Sequence, residues 1–287
     1  MFSSIIVSFG HKKYLRKCIN SVKYFFGEYE HEIIIINNLP SEDLSEFENT
    51  GVIIINNENK GFGQANNLGT KKSSGEYLFF LNPDSEIKST VNRELIELLQ
   101  SADCGIAGFK LIYPDGSFQL SAGREISLRN ELRNKKEENI CSGKNTALIK
   151  KLESEYSETK TVDWVSGAAF MCRKNVFEEA GGFNEKYFLY YEDSDLCKRI
   201  TNQNYKIFYF PQVKIIHQKG KNINPAFMDE TYLHAKESQL LYYSLHRNIF
   251  ECFILKLYLL SKFTILYMVS FKKVYSKIIK LVFTFKQ

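Results

Sequence analysis

Among the six cysteines (Cys18, Cys104, Cys141, Cys172, Cys197 and Cys252) there is no C-x-x-C pair and no His/Cys cluster. This excludes a disulfide framework or a structural zinc site and makes a reducing compartment the default. The N-terminus lacks the basic start and long apolar core of a signal peptide, so Phe2–Phe9 reads as the first strand of a fold. The tail lacks the ~18–20 uncharged residues that a spanning helix needs. Its longest uncharged run is Phe263–Phe271, and on that count nothing is expected to cross a bilayer. Internal repeats are absent. A distributed basic surplus is absent too. The net +5 of the 287 residues comes from the tail, where Lys256, Lys262, Lys272, Lys273, Lys277, Lys280 and Lys286 face one acid, Glu251. Before Ile249 there are 31 basic and 32 acidic residues, a near-neutral body with no nucleic-acid partner expected.

What is present is an ordinary globular composition, 44% hydrophobic and 25% charged, in a chain long enough to bury a sizeable core. Short apolar runs at Phe2–Phe9, Glu32–Ile36, Val52–Ile55 and Tyr77–Leu81 suit strands buried on both faces. Tyr14–Phe26 and Val91–Leu99 repeat their apolar residues at helical spacing. Alternating strands and helices predict an open α/β sheet with ligands at the strand C-terminal ends. The loops Ser8–Lys12, Asn37–Pro40, Asn56–Gly63 and Asn82–Glu86 would line that edge. Further on, Asn130–Lys160 is polar and reads as a loop with fragments of helix. A second block holds a strand-like Val162–Cys172, a helix from about Asp193 to Asn202, and two strands, Lys206–Phe210 and Val213–His217. From Met228 the pattern is helical.

Four stretches can carry chemistry. Asn82-Pro83-Asp84-Ser85 places a carboxylate after a buried strand, where it can meet a hard cation, although the same residues make an ordinary turn. Glu192-Asp193-Ser194-Asp195 follows the aromatic run Tyr187–Tyr191. Its acids suit a general base with a raised pKa, and equally the first turn of any helix. Asn59–Gly69 offers glycines and asparagines at a helix start, suited to a ligand's close approach or simply to a compact strand–helix connection. His217 ends a strand and is of interest if Asp84 holds a metal that both can share.

These stretches resemble, in family order, the family-2 glycosyltransferases of the GT-A fold, in their bacterial rhamnosyltransferase-like branch. The matching pieces are Ile5–Phe9, Ile33–Asn38, Asn59–Gly69, Gly75–Asp84, Val162–Ala168, Gly181-Gly182-Phe183, Phe188–Cys197 and Val213–His217. The resemblance implies a Rossmann-like, mostly parallel central sheet flanked by helices, with residues 1–225 catalytic and 226–287 a helical C-terminal extension. It implies Asp193 as catalytic base, and donor contacts from Ser8, Asn37, Asn59, Gly61, Asn66, Asn82 and Asp84. It further implies an Mg²⁺ or Mn²⁺ ion on Asp84 and His217, and a sugar and acceptor cleft of Trp164, Ser166, Gly167, Tyr191 and Glu192. Asn82 stands where the family's first metal-site acid is usual, Asn37 where an Asp commonly contacts a pyrimidine, and Gly10 where Asn is usual.

The implied activity is inverting transfer of a sugar from a nucleotide-diphosphate donor (dTDP-rhamnose, or a UDP-sugar in a galactofuranosyl- or hexosyltransferase) to a glycan or lipid-linked glycan. A nucleotidyltransferase would need repeated glycines after the first strand, which are missing. A non-catalytic sugar-nucleotide-binding homologue would have lost an acid at 84 or 193. In the tail, Lys273, Lys277 and Lys280 share one helix face while Val274, Ile278 and Leu281 share another, the pattern of a helix lying on an anionic membrane. The same stripe also suits a helical hairpin packed on the catalytic domain or on a second copy of the chain. The expected location is cytoplasmic, at the inner face of the cell membrane.

Overall fold

The computed structural model describes residues 1–143, 145–218 and 225–285, so Lys286 lies outside the described residues. The first half alternates strands and helices: β1 (Phe2–Ser8), α1 (Lys12–Phe26), β2 (His31–Asn37), β3 (Val52–Asn56), α2 (Phe62–Lys72) and β4 (Tyr77–Leu81). Then come β5 (Ser85–Ile87), α3 (Arg93–Gln100), β6 (Cys104–Ile112), β7 (Phe118–Gln119) and β8 (Ala122–Gly123). The second half holds α4 (Leu128–Ser142), α5 (Thr146–Ser154), β9 (Lys160–Val162), β10 (Trp164–Val165), β11 (Ala169–Arg173), α6 (Lys174–Glu179), α7 (Glu192–Thr201) and β12 (Lys206–His217). Three helices close the chain: α8 (Pro225–His246), α9 (Ile249–Ser270) and α10 (Lys273–Thr284).

The main sheet runs β3-β2-β1-β4-β11-β6-β12-β5. Strands β3, β2, β1, β4, β6 and β12 point the same way, while β11 and β5 oppose them. Its central strands are largely apolar because both faces are covered. Ile6, Phe79 and Leu81 enter one core with α1 and α3, whereas Ile5, Leu78 and Phe80 enter the other with α6 and α7. Each such fully buried side chain contributes about 1.5–3 kcal/mol. Register puts Ser8 opposite Asn37, and Asn37 opposite Asn56, at the C-terminal edge. The open α/β sheet and its ligand edge are as the periodicity predicts.

Several expectations are corrected. Asn130–Lys160 is mostly helix, α4 and α5. Neither has a broad apolar stripe; α4 is held by its Ser127 cap, whose Oγ accepts from Asn130 N at 3.3 Å, and by the Arg133–Glu137 ion pair at 2.8 Å. Val162–Cys172 is three short strands, because the chain leaves the ladder at Ser166–Ala168. Lys206–His217 is one strand that crosses Pro211 with a register shift. α9, with 22 residues, is long and apolar enough to span a bilayer by length and composition, contrary to the count of uncharged runs. The stripe of α10 is not free: Val274, Ile278 and Val282 are buried in a third core with α8 and α9, so the hairpin alternative holds for that helix.

α8 lies along the segment that leads into α7. On one ridge, at intervals of four residues, His234 stacks on Phe188 (centroids 4.4 Å apart) and Ser238 Oγ donates to Leu189 O at 2.9 Å. Farther along the same ridge Tyr242 meets Tyr191 at 5.7 Å, and His246 Nε2 donates to Asp195 Oδ1 at 2.7 Å. Asp195 is 1% exposed and also accepts from Arg199 Nε at 2.8 Å. A carboxylate buried so deeply requires both partners. His246→Ala is therefore expected to cost about 1–3 kcal/mol of stability, read by denaturant melts; a midpoint equal to the parent's would show that the ridge does not clamp α7.

Candidate active site

The ligand edge is built from strand ends. Asn37, buried at the end of β2, donates through Nδ2 to Glu42 O at 3.1 Å and Asn56 Oδ1 at 2.9 Å, and its Oδ1 accepts from Leu39 N at 3.1 Å. Asn59 Oδ1 accepts from Gly61 N at 3.2 Å and Asn38 Nδ2 at 3.4 Å, shaping the loop before α2. Gly61 has φ +112°, and a β carbon there would fall 2.7 Å from Phe188 O. Only glycine permits that approach, and Phe62 N–H then donates to Phe188 O at 2.9 Å. Around this edge, Ser8 Oγ, His11 Nδ1, Ser85 Oγ and Gln119 Nε2 are buried without a hydrogen-bond partner. Orphaned polar atoms are costly, and so many at one edge fit a site shaped to receive a polar ligand.

Asp84 and His217 meet across the β5–β12 pairing, with Nε2 3.4 Å from Oδ1. Asn82 Nδ2 lies 3.2 Å from the same Nε2, and Gln119 Oε1 lies 2.8 Å from Nδ1. With the Gln119 carbonyl accepting from Nδ1–H, Nε2 is left with its lone pair turned toward a carboxylate. A cation between them satisfies both, so these residues fit a divalent ion. With no ion bound, burial works against ionisation of Asp84, yet a hydrogen bond from His217, its charge when protonated, and the nearby His11 hold the carboxyl below the usual range. Beneath it the Cys18 thiol donates to Asn82 O at 3.6 Å, and burial pushes that thiol far up. Among the described residues no three His, Cys, Asp or Glu converge, which leaves Asp84 and His217 as a two-ligand set.

The acidic stretch divides into three different carboxylates. Tyr190 and Tyr191 precede α7 at φ 69° and 66°, a left-handed conformation that bulky residues rarely adopt. That turn presents Asp193 to the break between β10 and β11. Its Oδ2 accepts from Gly167 N at 2.8 Å and its Oδ1 from Ser194 N at 2.6 Å. A β carbon on Gly167 would sit 3.4 Å from Asp193 Cβ and from Phe62 Cε1, so glycine brings the backbone donor within reach. Burial raises Asp193 above the usual carboxylate range, and its hydrogen bonds from Gly167, Ser194 and its own backbone only partly oppose this. Glu192 is pushed much higher, by burial first and then by the charges of Asp193 and Asp195, and its Oε2 has no partner. Burial thus drives Glu192 further toward its neutral form than Asp193, while Asp195 serves the clamp on α8.

The remaining expected residues are placed differently. Ser166 lies at the same break, donating its N–H to Ser121 O at 2.8 Å. Trp164 packs on Gly123, where a β carbon would fall 2.7 Å from Cζ2, and its Nε1 is buried without a partner. Asn66 is turned into α2, its Nδ2 donating to Phe62 O at 3.0 Å. The neighbouring Asn67 has the larger structural part: it bonds Phe183 N and Phe183 O, each at 2.9 Å, and so ties α2 to the segment before the aromatic run. Gln119 and His11 were not among the expected residues. His11 had a weak signal in its position on the first loop; Gln119 had none, since only the β6–β7 pairing brings it to His217.

Comparison with known proteins bears on the family and the fold. The sequence profile described as "Glycosyl transferase family 2" matches residues 3–179, and one described as "N-terminal domain of galactosyltransferase" matches residues 151–221. The chain is 27% identical over 245 residues to "Rhamnosyltransferase WbbL" of Escherichia coli K12, covering 82% of this chain and 89% of that protein. It is 24% identical over 212 residues to "dTDP-rhamnosyl transferase RfbF" of Shigella flexneri, covering 71% and 65%. Among solved structures, GalNAc-T7 with UDP, GalNAc and Mn²⁺ superposes with a TM-score of 0.56 at 15% identity, over 85% of this chain and 49% of the other. At that identity the likeness is one of fold, and this chain spans about half of that structure's length. The strand-end loops, the acid after β4 and the acid opening α7 thus stand on a shared scaffold, and the chain belongs to the family-2 glycosyltransferases, in their rhamnosyltransferase-like branch, on a GT-A fold.

Proposed function

We propose that this glycosyltransferase moves rhamnose, with inversion, from dTDP-rhamnose to a hydroxyl of a growing lipid-linked cell-surface glycan, at the cytoplasmic face of the membrane. The observation that carries the chemistry is Asp193, a half-buried carboxylate fixed by Gly167 and Ser194 and raised in pKa, at the end of a strained turn. Asp193 accepts the proton of the acceptor hydroxyl as that oxygen attacks the anomeric carbon. Trp164, Ser166, Gly167, Tyr191 and Glu192 surround the sugar and acceptor, and Glu192 in its neutral form adds no second negative charge there. Ser8, Asn37, Asn59 and Gly61 lie along the donor's nucleotide side; Asn82, Asp84 and His217 hold its diphosphate end. When bound on Asp84 and His217, Mg²⁺ or Mn²⁺ supplies charge that offsets the departing diphosphate. The names of the relatives support rhamnose. A UDP-sugar galactofuranosyl- or hexosyltransferase is the second reading, favoured by the galactosyltransferase match over residues 151–221.

Asp193→Asn is expected to lower turnover about 10²–10⁴-fold while leaving donor binding unchanged. Because the base works only when ionised, the parent's rate should fall with decreasing pH above the ordinary carboxylate range, and the variant should lose that limb. Equal turnover, or an unchanged acid limb in the variant, would exclude the base.

In a thermal-shift series, dTDP-rhamnose with Mn²⁺ is expected to stabilise the protein by about 2.7 kcal/mol at 100 times its Kd, more than UDP-sugars do at the same concentration. Asp84→Ala should remove the Mn²⁺-dependent part of that shift. A larger shift with a UDP-sugar would establish the second reading, and an undiminished Mn²⁺ effect in the variant would exclude Asp84 as a ligand.

A further inference from the structure

α9 has two faces of different character. Cys252, Leu255, Leu259 and Phe263 are buried against α8 and α10. On the opposite side, Phe250, Phe253, Leu257, Ile265 and Met268 recur at helical spacing and are each 48–68% exposed. The charged residues of α9 avoid that side. Glu251 is held by Arg247 at 2.6 Å, Lys256 Nζ reaches Phe285 O at 3.0 Å, and Lys262 lies over the Tyr258 and Phe263 rings. The outward face is therefore uncharged along the whole helix, although no long uncharged run exists in the sequence. At its end Phe271, 75% exposed with φ 52°, turns the chain into α10 and is followed at once by the exposed Lys272 and Lys273. Lys277 and Lys280 are exposed beyond them.

We infer that the outward face of α9 lies flat in the interface of an anionic bilayer, with Phe271 inserted at one end and the α10 lysines on the headgroups. An uncharged apolar face that ends in a run of exposed lysines is complementary to such a surface. A spanning orientation is incompatible with the packing, because it would strip Leu255, Leu259 and Phe263 from their partners and carry Lys256 and Lys262 into hydrocarbon. The inference deepens the membrane side of the proposed function and is independent of which sugar is moved.

The test uses the full chain in flotation assays with phosphatidylcholine vesicles, with and without phosphatidylglycerol. The parent should float with anionic vesicles, and the double variant Phe253→Glu/Met268→Glu should lower the bound fraction at least about tenfold. Lys272→Ser/Lys273→Ser should weaken binding to anionic vesicles only, and should reduce its dependence on salt. All four positions are exposed, so melting temperature and donor-induced thermal shift should be unchanged, which separates loss of the surface from loss of the fold. A parent that does not bind, a glutamate variant that binds equally, or a dimeric parent whose glutamate variant is monomeric would each overturn the inference. Failure of rhamnosyl transfer with vesicle binding intact would overturn the donor assignment and leave this surface standing.

Discussion

The buried charge of Asp195 is the constraint on which the rest depends. A carboxylate 1% exposed is tolerable only with its partners in place, and those partners come from two directions. Arg199 comes from one turn farther along α7, where it also binds the carbonyls of Ala180 and Gly182; His246 comes from the end of α8. The start of α7 is thereby fixed between the Gly181-Gly182 turn and the C-terminal helices. The left-handed pair Tyr190–Tyr191, which costs energy of its own, can persist because both sides of it are held. Catalytic-domain geometry and C-terminal packing meet at one side chain.

From that constraint follows the division of labour among three neighbouring acids. Asp193 faces the break in the sheet, where Gly167 supplies a backbone donor that partly opposes the upward push of burial. Glu192 is more deeply buried, its Oε2 has no partner, and it is driven further toward its neutral form. The same segment thus holds three carboxylates whose environments differ more than their sequence positions suggest. At the other end of the cleft the opposite electrostatics apply: His217 and His11 stabilise ionised Asp84 beside orphaned polar atoms on several strand ends.

Much of this was legible in the sequence. Strands buried on both faces announce themselves as unbroken apolar runs, and the helices between them by spacing, so the sheet, its ligand edge and the acids at 84 and 193 could be placed directly. What escaped were features set by pairing across distance. Gln119 has no local signal, because its role exists only through β7 and His217. Asn66 and Asn67 are equivalent in sequence, and only the direction of α2 decides that Asn67 bridges to Phe183. α4 was missed because caps and ion pairs, rather than an apolar stripe, hold it. In the tail, counting uncharged residues along the chain concealed an uncharged face around a helix, and assigned to the membrane a stripe on α10 that is core.

The proposed reaction is a single displacement at the anomeric carbon with Asp193 as the base. The most direct measurement is the anomeric configuration of the transferred sugar against that of the donor, by NMR of the product formed by the parent enzyme. Inversion is the result this geometry predicts. Retention would require a nucleophile on the opposite face of the sugar and would contradict the assignment of Asp193.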